Sequence, residues 1–331
     1  MTDPLRVVFF GTPGFAVPTL ERLAADDGFD VRLVVTQPDR PAGRGRRLEA
    51  SPVKLAAAGL GRPIFQPESL REASTRAVLE AVAADLFVVA AYGRILGSKT
   101  LAVPRFGCVN VHASLLPRFR GASPVAAAIL AGDEATGVSL MVMEAGLDTG
   151  PVFATAACPI APTATTASLT DRLARIGADL VGEAIPRFAR GELPARPQSS
   201  AGTSFARPLV KTDGWLDWSK PAVDLERRVR AMWPWPRAWT TTSDDPSRVI
   251  QVHAAKAVNG SGGSAGQLFE HGREVAVACG AGSLVLTTVQ PAGAKPMPGA
   301  ALIAGRHARI GDLLGAAVAP ETSPLVTPIA E

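Results

Sequence analysis

LRVVFFG (residues 5–11) runs directly into TPGFAVPTLERLAA (12–25), and this junction decides the fold. The first stretch is a short apolar run, rich in β-branched and aromatic residues and ended by glycine, which predicts a buried strand. The second predicts a helix over 14–25 with Phe15, Leu20 and Leu23 as apolar anchors. The alternation recurs downstream. VRLVVT (31–36) predicts a second strand, SPVKLAAAG (51–59) a helix with Ser51 as N-cap and Pro52 at its first position, and 70–83 another helix. DLFVVAA (85–91), CVNVHA (108–113) and VSLMVM (138–143) add strand candidates; helices are expected over 122–132 and 165–189. Such alternation predicts an α/β fold, a doubly wound parallel sheet.

The pattern changes after residue 189. GELPARPQSSAGTSFARP (191–208) is rich in Pro, Ser and Gly, so 190–208 is expected to be a linker. A helix over 221–232 follows, then short strands near AWTTT, RVIQVHAAKAV, GQLFE, REVAVACG and SLVLTTVQ, separated by glycine-containing turns. Short strands at close spacing predict a small β-barrel over 209–310. Residues 311–331 carry little pattern and are expected to be a tail.

The chain has 331 residues, 47% hydrophobic and 19% charged, which suits a globular protein of two domains. Cys108, Cys158 and Cys279 are too scattered for a disulfide scaffold, and with His112, His253, His271 and His307 they form no metal motif. No metal is expected. No apolar run approaches the roughly 18 residues of a membrane span, and the start has no signal-peptide pattern; a cytoplasmic location and no membrane partner are expected. The net charge of +4 is unevenly spread. Residues 1–188 hold 19 Lys/Arg against 18 Asp/Glu, whereas 205–310 hold 13 against 8. The C-terminal part is therefore the better candidate for an anionic partner. QPDRPAGRGRRL (37–48) gathers Arg40, Arg44, Arg46 and Arg47 among glycines and prolines. This predicts a mobile basic loop without regular structure, either a solvated connection or a phosphate contact.

NVHASLLPRFRG (110–121) is the most informative stretch. Asn110 and His112 alternate along a strand, so they share a face about 6.6 Å apart. Two donors at that spacing can converge on one oxygen as an oxyanion site, at a strand end where open α/β sheets place ligands; a polar strand end capping a turn is the plainer reading. Cys108 shares the face but lies roughly 13 Å from His112 along the strand, too far for a nucleophile and its base. It reads as a packing residue. In EAGLDTGP (144–151), Asp148 is expected beside the same sheet edge, where its carboxylate can orient His112 or take a proton; the alternative is a turn aspartate bonding its own backbone. GTPGFAVP (11–18) lacks the dinucleotide-binding spacing, and GGSAG (262–266) sits on no strand-to-helix elbow. WPWPRAW (233–239) reads as packing between the barrel and its preceding helix, with base stacking as the alternative.

On these residues the chain resembles the folate-dependent formyltransferases. The shared pattern is Asn-x-His, Ser-Leu-Leu-Pro, Gly, then Leu-Asp-Thr-Gly: here Asn110, His112, Ser114, Leu115, Leu116, Pro117, Gly121, Leu147, Asp148, Thr149 and Gly150. Residues 11–23, 36–48, 51–54, 91–96 and 211–240 are similar to the branch that acts on methionyl-tRNA. The resemblance implies a Rossmann-like domain and an OB-like tRNA-binding barrel. It implies formyl transfer from 10-formyltetrahydrofolate to the amino group of initiator methionyl-tRNA by a monomer. Asn110, His112 and Asp148 would be catalytic, Ser114, Leu115, Leu116 and Pro117 would bind the folate, and Arg40, Arg44, Arg46 and Arg47 the tRNA. A small amine acceptor, hydrolysis of the formyl donor, and a non-catalytic RNA-binding role are the alternatives. Two departures stand out: Gly14 where the family often has an acid, and Ala126 where it commonly has Gln or Asn.

Overall fold

Seven strands form the first sheet, in the order Val152–Pro159, Ala135–Val142, Cys108–His112, Leu86–Ala90, Leu5–Gly11, Phe29–Val35 and Ile64–Phe65. The computed structural model describes residues 3–42, 47–245, 247–260, 262–315 and 323–328. Alternation along Leu5–Gly11 explains the layering. Val7 and Phe9 join a core with Leu20, Leu23, Leu173 and Val181 on one face, while Val8 and Phe10 join a second with Leu79, Phe87 and Tyr92 on the other. The chain leaves Leu5–Gly11 to one side through Phe29–Val35 and returns to its other side at Leu86–Ala90, both parallel to it. That reversal opens a crevice at the carboxyl ends of the two flanking strands. Thr12 Oγ1 and Gln37 Nε2 both donate to the Tyr92 carbonyl there, at 3.0 and 2.7 Å.

The expected helices form. Ser51 Oγ accepts from Lys54 N at 3.1 Å to start Pro52–Gly59, and Thr165 caps Thr166–Ala189 reciprocally with Ser168. One strand direction differs from the expectation. Ala135–Val142 runs antiparallel to Cys108–His112, with His112 opposite Ser139, and Val152–Pro159 runs antiparallel to it in turn. An apolar run carries no sign of direction, and antiparallel edges on parallel sheets are common. The consequence is functional. The loop after Val142 begins beside Cys108, where Met143 N donates to the Cys108 carbonyl at 2.7 Å. It then folds back, which sets Asp148 beside Asn110 and His112.

The basic stretch is also more regular than expected. Arg40–Ala42 and Arg47–Glu49 pair as an antiparallel hairpin, with Arg40 opposite Glu49. The Gly and Pro residues that argue against regular structure are concentrated outside its second strand. Arg44 and Arg46 lie outside the described residues.

Residues 190–208 do more than connect. Ser204–Ala206 pairs parallel with Arg120–Gly121 and antiparallel with Val326–Pro328, a three-stranded sheet laid on the first domain. The last residues are likewise not a free tail where described. Beyond the linker, strands Ala238–Thr241, Val249–Val258, Ser283–Pro291, Glu274–Ala278 and Leu268–His271 form an antiparallel sheet in that order. Leu314 bridges Thr242 and Leu313 bridges Gln267, so this segment joins the two edges into a small barrel. Register shifts near Ala254 bend the longest strand. Helix Ala222–Ala231 supplies Leu225 and Val229 to the barrel core. Trp239 packs edge-on against Trp215, as expected for packing residues, but Trp235 is exposed. Single bridges and three-residue strands are too short to show a period in the sequence.

Asp213 fastens the two parts. Its carboxylate takes both Arg207 Nη atoms at 2.9 and 2.6 Å and the Val210 N–H at 2.7 Å, and Arg207 also reaches the Ser323 carbonyl at 2.6 Å. Burial pushes the Asp213 carboxyl up, but Arg207, the Val210 N–H and Arg228 outweigh it and leave it below its ordinary value. Its stabilisation is therefore present above the ordinary carboxylate range, about pH 4, and lost as pH falls below it. Asp213→Asn should lower stability by about 2–3 kcal/mol at pH 7 in chemical denaturation, and the gap to the parent chain should close in acid. A gap that persists unchanged at pH 3 would show that charge plays no part.

Candidate active site

Strand Cys108–His112 sets Asn110 and His112 on one face, as alternation requires. Asp148 closes on them from the loop. Its Oδ2 accepts the Gly121 N–H at 2.8 Å and lies 3.6 Å from His112 Nδ1, while Oδ1 accepts from Asn110 Nδ2 at 3.3 Å. The His112 and Asp148 side chains are 6% and 11% exposed, so these contacts act in a poorly hydrated setting. The alternative of a turn aspartate bonding its own backbone is thus set aside by geometry: every carboxylate partner comes from another segment.

Two glycines make this approach possible. A Cβ on Gly121 (φ +101°) would stand 2.6 Å from the Ala206 carbonyl oxygen, and one on Gly150 would stand 1.8 Å from that of Val142. Asp148 itself is left-handed, at φ +52°, a conformation that Asp tolerates better than most residues.

The other ring nitrogen of His112 is engaged. Nε2 lies 2.9 Å from the Phe119 carbonyl, which only accepts, so Nε2 carries the proton. In the neutral ring Nδ1 is then a lone pair facing Asp148. The expectation that Asn110 and His112 both donate to one oxygen therefore changes. Asn110 has two amide hydrogens, and one remains after the bond to Asp148; a neutral His112 has no free N–H.

The expected folate segment lies beside the strand's end. Ser114 is buried, its hydroxyl donates to the Arg118 carbonyl at 2.6 Å, and its own carbonyl accepts from Ser139 Oγ at 2.7 Å. That side chain shapes the loop. Leu115, Leu116 and Pro117 are half-buried, with Leu116 N–H donating to Ser139 Oγ at 3.1 Å. Arg40 is exposed, and its Nη2 donates to Gln37 Oε1. Arg47 opens a hairpin strand, and its side chain is outside the described set, as are Arg44 and Arg46. Ala126 is buried in the core of helix Pro124–Ala131, and a Cβ on Gly14 would meet nothing within 4 Å. Phe119, Gln198 and Ser204 escape sequence reading. They act through backbone atoms or on backbone atoms far along the chain, which leaves no local signature.

A family model described as formyl transferase matches residues 5–185, and one described as the formyl transferase C-terminal domain matches 208–307. The chain is 48% identical to the methionyl-tRNA formyltransferase of Roseiflexus castenholzii over 311 residues, covering 94% of this chain and 99% of that one. This chain belongs to the methionyl-tRNA formyltransferase family. Another family member, from Myxococcus xanthus, is 49% identical over 91% of this chain and 95% of its own. Among solved structures, an N-formyltransferase from Helicobacter canadensis in complex with folinic acid and dTDP-3-aminofucose shares the fold at TM-score 0.62, with 16% identity over 85% of this chain and 98% of that one. HypX from Aquifex aeolicus in complex with tetrahydrofolic acid does so at 0.60, with 17% identity over 90% of this chain and 47% of that one.

Cys108 is no nucleophile in this member of the methionyl-tRNA formyltransferase family. It is buried, and burial pushes its thiol up to about 12, so almost no thiolate exists near neutrality. Iodoacetamide at about pH 8 should leave Cys108 unlabelled in the native protein, and Cys108→Ser should keep turnover within about threefold. Rapid labelling of Cys108 with parallel inactivation would reverse this assignment.

Proposed function

We propose that the chain transfers the formyl group of 10-formyltetrahydrofolate to the free amino group of initiator methionyl-tRNA. The single observation that carries the chemistry is the convergence of Asn110, His112 and the Gly121 N–H on the Asp148 carboxylate. When bound, the folate supplies an already activated formyl carbonyl. The site fits that group: a spare amide donor stands beside a half-buried carboxylate and a buried imidazole, with the half-buried Leu116 and Pro117 close by in the chain. Asn110 directs its second amide hydrogen at the carbonyl oxygen as charge develops there. Asp148 and His112 take the proton from the attacking amine; as the tetrahedral species collapses, the bond from the formyl carbon to the folate nitrogen breaks and that nitrogen leaves with a proton returned from the pair. A proton delivered to Nδ1 turns the 3.6 Å lone-pair gap into a charge-assisted contact with Asp148. Leu115, Leu116, Pro117 and the backbone of their segment hold the tetrahydrofolate, with Ser114 fixing the segment's shape.

The tRNA reading rests on the family relationship, on Arg40, Arg44, Arg46 and Arg47, and on the 13 Lys/Arg against 8 Asp/Glu of residues 205–310. Among the described residues no helix is long and apolar enough to cross a membrane.

With donor and methionyl-tRNA present, Asp148→Asn should lower kcat about 1,000-fold while donor binding persists. Asn110→Ala should lower it about 100-fold, the usual effect of losing one oxyanion donor. Near-normal turnover of Asp148→Asn removes the carboxylate from the mechanism, and formylation of a free small amine in preference to methionyl-tRNA replaces the acceptor. If phosphate contacts hold the tRNA, its KM should rise about tenfold or more between roughly 50 and 200 mM salt. A flat salt profile contradicts the basic hairpin's role.

A further inference from the structure

The stretch that leaves the first domain returns to the site, where it touches the backbone of Asp148, Gly150 and Phe119. Gln198 Nε2 donates to the carbonyls of Asp148 and Gly150, both at 2.8 Å. Its Oε1 accepts from Arg120 Nε and Nη2, at 3.0 and 2.8 Å, so the amide is oriented without ambiguity: a guanidinium only donates and a carbonyl only accepts. Both ends of one side chain are thereby tied. The carbonyls it holds belong to the left-handed Asp148 and to Gly150, whose approach to Val142 admits no side chain. Six residues on, Ser204 Oγ accepts from Phe119 N at 2.9 Å, and the Phe119 carbonyl is the partner of His112 Nε2. The same short segment thus reaches the aspartate through one residue and the histidine through another.

We propose that Gln198 is a positioning residue for formyl transfer: it fixes the Asp148 backbone so that the carboxylate meets Asn110 and His112, and the connecting segment is part of the catalytic frame. The proposal rests on the reading of Asp148 as catalytic. Gln198 reaches the carboxylate only through the backbone of Asp148, so its loss should lower turnover without weakening either substrate. A change of about an ångström in the placement of a reacting group is enough to lower a rate about 100-fold.

The test is steady-state kinetics with both substrates, on the full chain. Gln198→Ala should lower kcat about 10- to 100-fold, with KM for donor and tRNA within about twofold and little change in melting temperature. Gln198→Glu keeps the size and the pairing with Arg120 but turns an acceptor toward two carbonyls; it should be at least as slow. Combining Gln198→Ala with Asp148→Asn separates positioning from a general structural role. If Gln198 works through the carboxylate, the double variant should be no slower than Asp148→Asn alone. Kinetics of Gln198→Glu matching the parent chain, or losses that multiply in the double variant, overturn the proposal. An active Asp148→Asn overturns instead the reading beneath it. If Gln198→Ala folds poorly, Gln198→Glu and its double variant decide the matter.

Discussion

The half-buried Asp148 carboxylate is the point where separate pieces of chain must agree. Taking an ionised carboxylate out of water costs several kcal/mol unless its oxygens find partners. Here the partners are a backbone N–H from Gly121 and an amide from Asn110, with the His112 ring beside them. Asn110 and His112 come from one strand and Gly121 from the short strand beyond it, and each arrival depends on something else. Gly121 must lack a side chain to pass the Ala206 carbonyl, Asn110 must lie two residues from His112 in a strand, and Gly150 must let the loop close against Val142. The left-handed backbone at Asp148 adds of the order of 1 kcal/mol of local cost, which only surrounding contacts can offset. The neighbours therefore hold the aspartate in a geometry it would not adopt alone.

The orientation of His112 follows from the same economy of partners. A carbonyl fixes the proton on Nε2, leaving Nδ1 toward the carboxylate. This divides the labour between two residues that the sequence presents as equivalent donors. In the proposed mechanism, Asn110 keeps a hydrogen for an oxygen that gains charge, and the imidazole offers Nδ1 to a proton from the attacking nitrogen.

Much of the first domain is legible in the chain because buried strands and amphipathic helices write their periods into the sequence. LRVVFFG reads as a two-faced strand, and the structure puts Val7 and Phe9 on one side and Val8 and Phe10 on the other. Asn110 and His112 are legible for a similar reason, since alternation alone puts them on one face. What is not legible is direction and distance. Nothing in VSLMVM indicates that its strand runs backward, so the route by which Asp148 arrives had to come from the fold. The family pattern names Asp148 and Gly121 together, but their contact spans 27 positions through a side chain and a backbone N–H. Gln198, Ser204 and Leu314 leave no trace at all: one sits in a stretch that reads as connection, another pairs in a three-residue strand, and the last makes one bridge.

Those unreadable residues share a location, between or beyond the two domains that pattern does reveal. The connecting segment pairs with Arg120–Gly121 on one side and with Val326–Pro328 on the other. Arg207, at its end, joins the buried Asp213 to the Ser323 carbonyl. The strand that carries the Gly121 N–H to Asp148 is therefore the same strand on which the connection rests. A small sheet of this kind would be marginal alone, with strands of two and three residues. Its strands come from the first domain, the connecting segment and the final segment, and Arg207 at its end is held by Asp213. The loop that carries Asp148 and the start of the barrel domain thus both rest on the connecting segment.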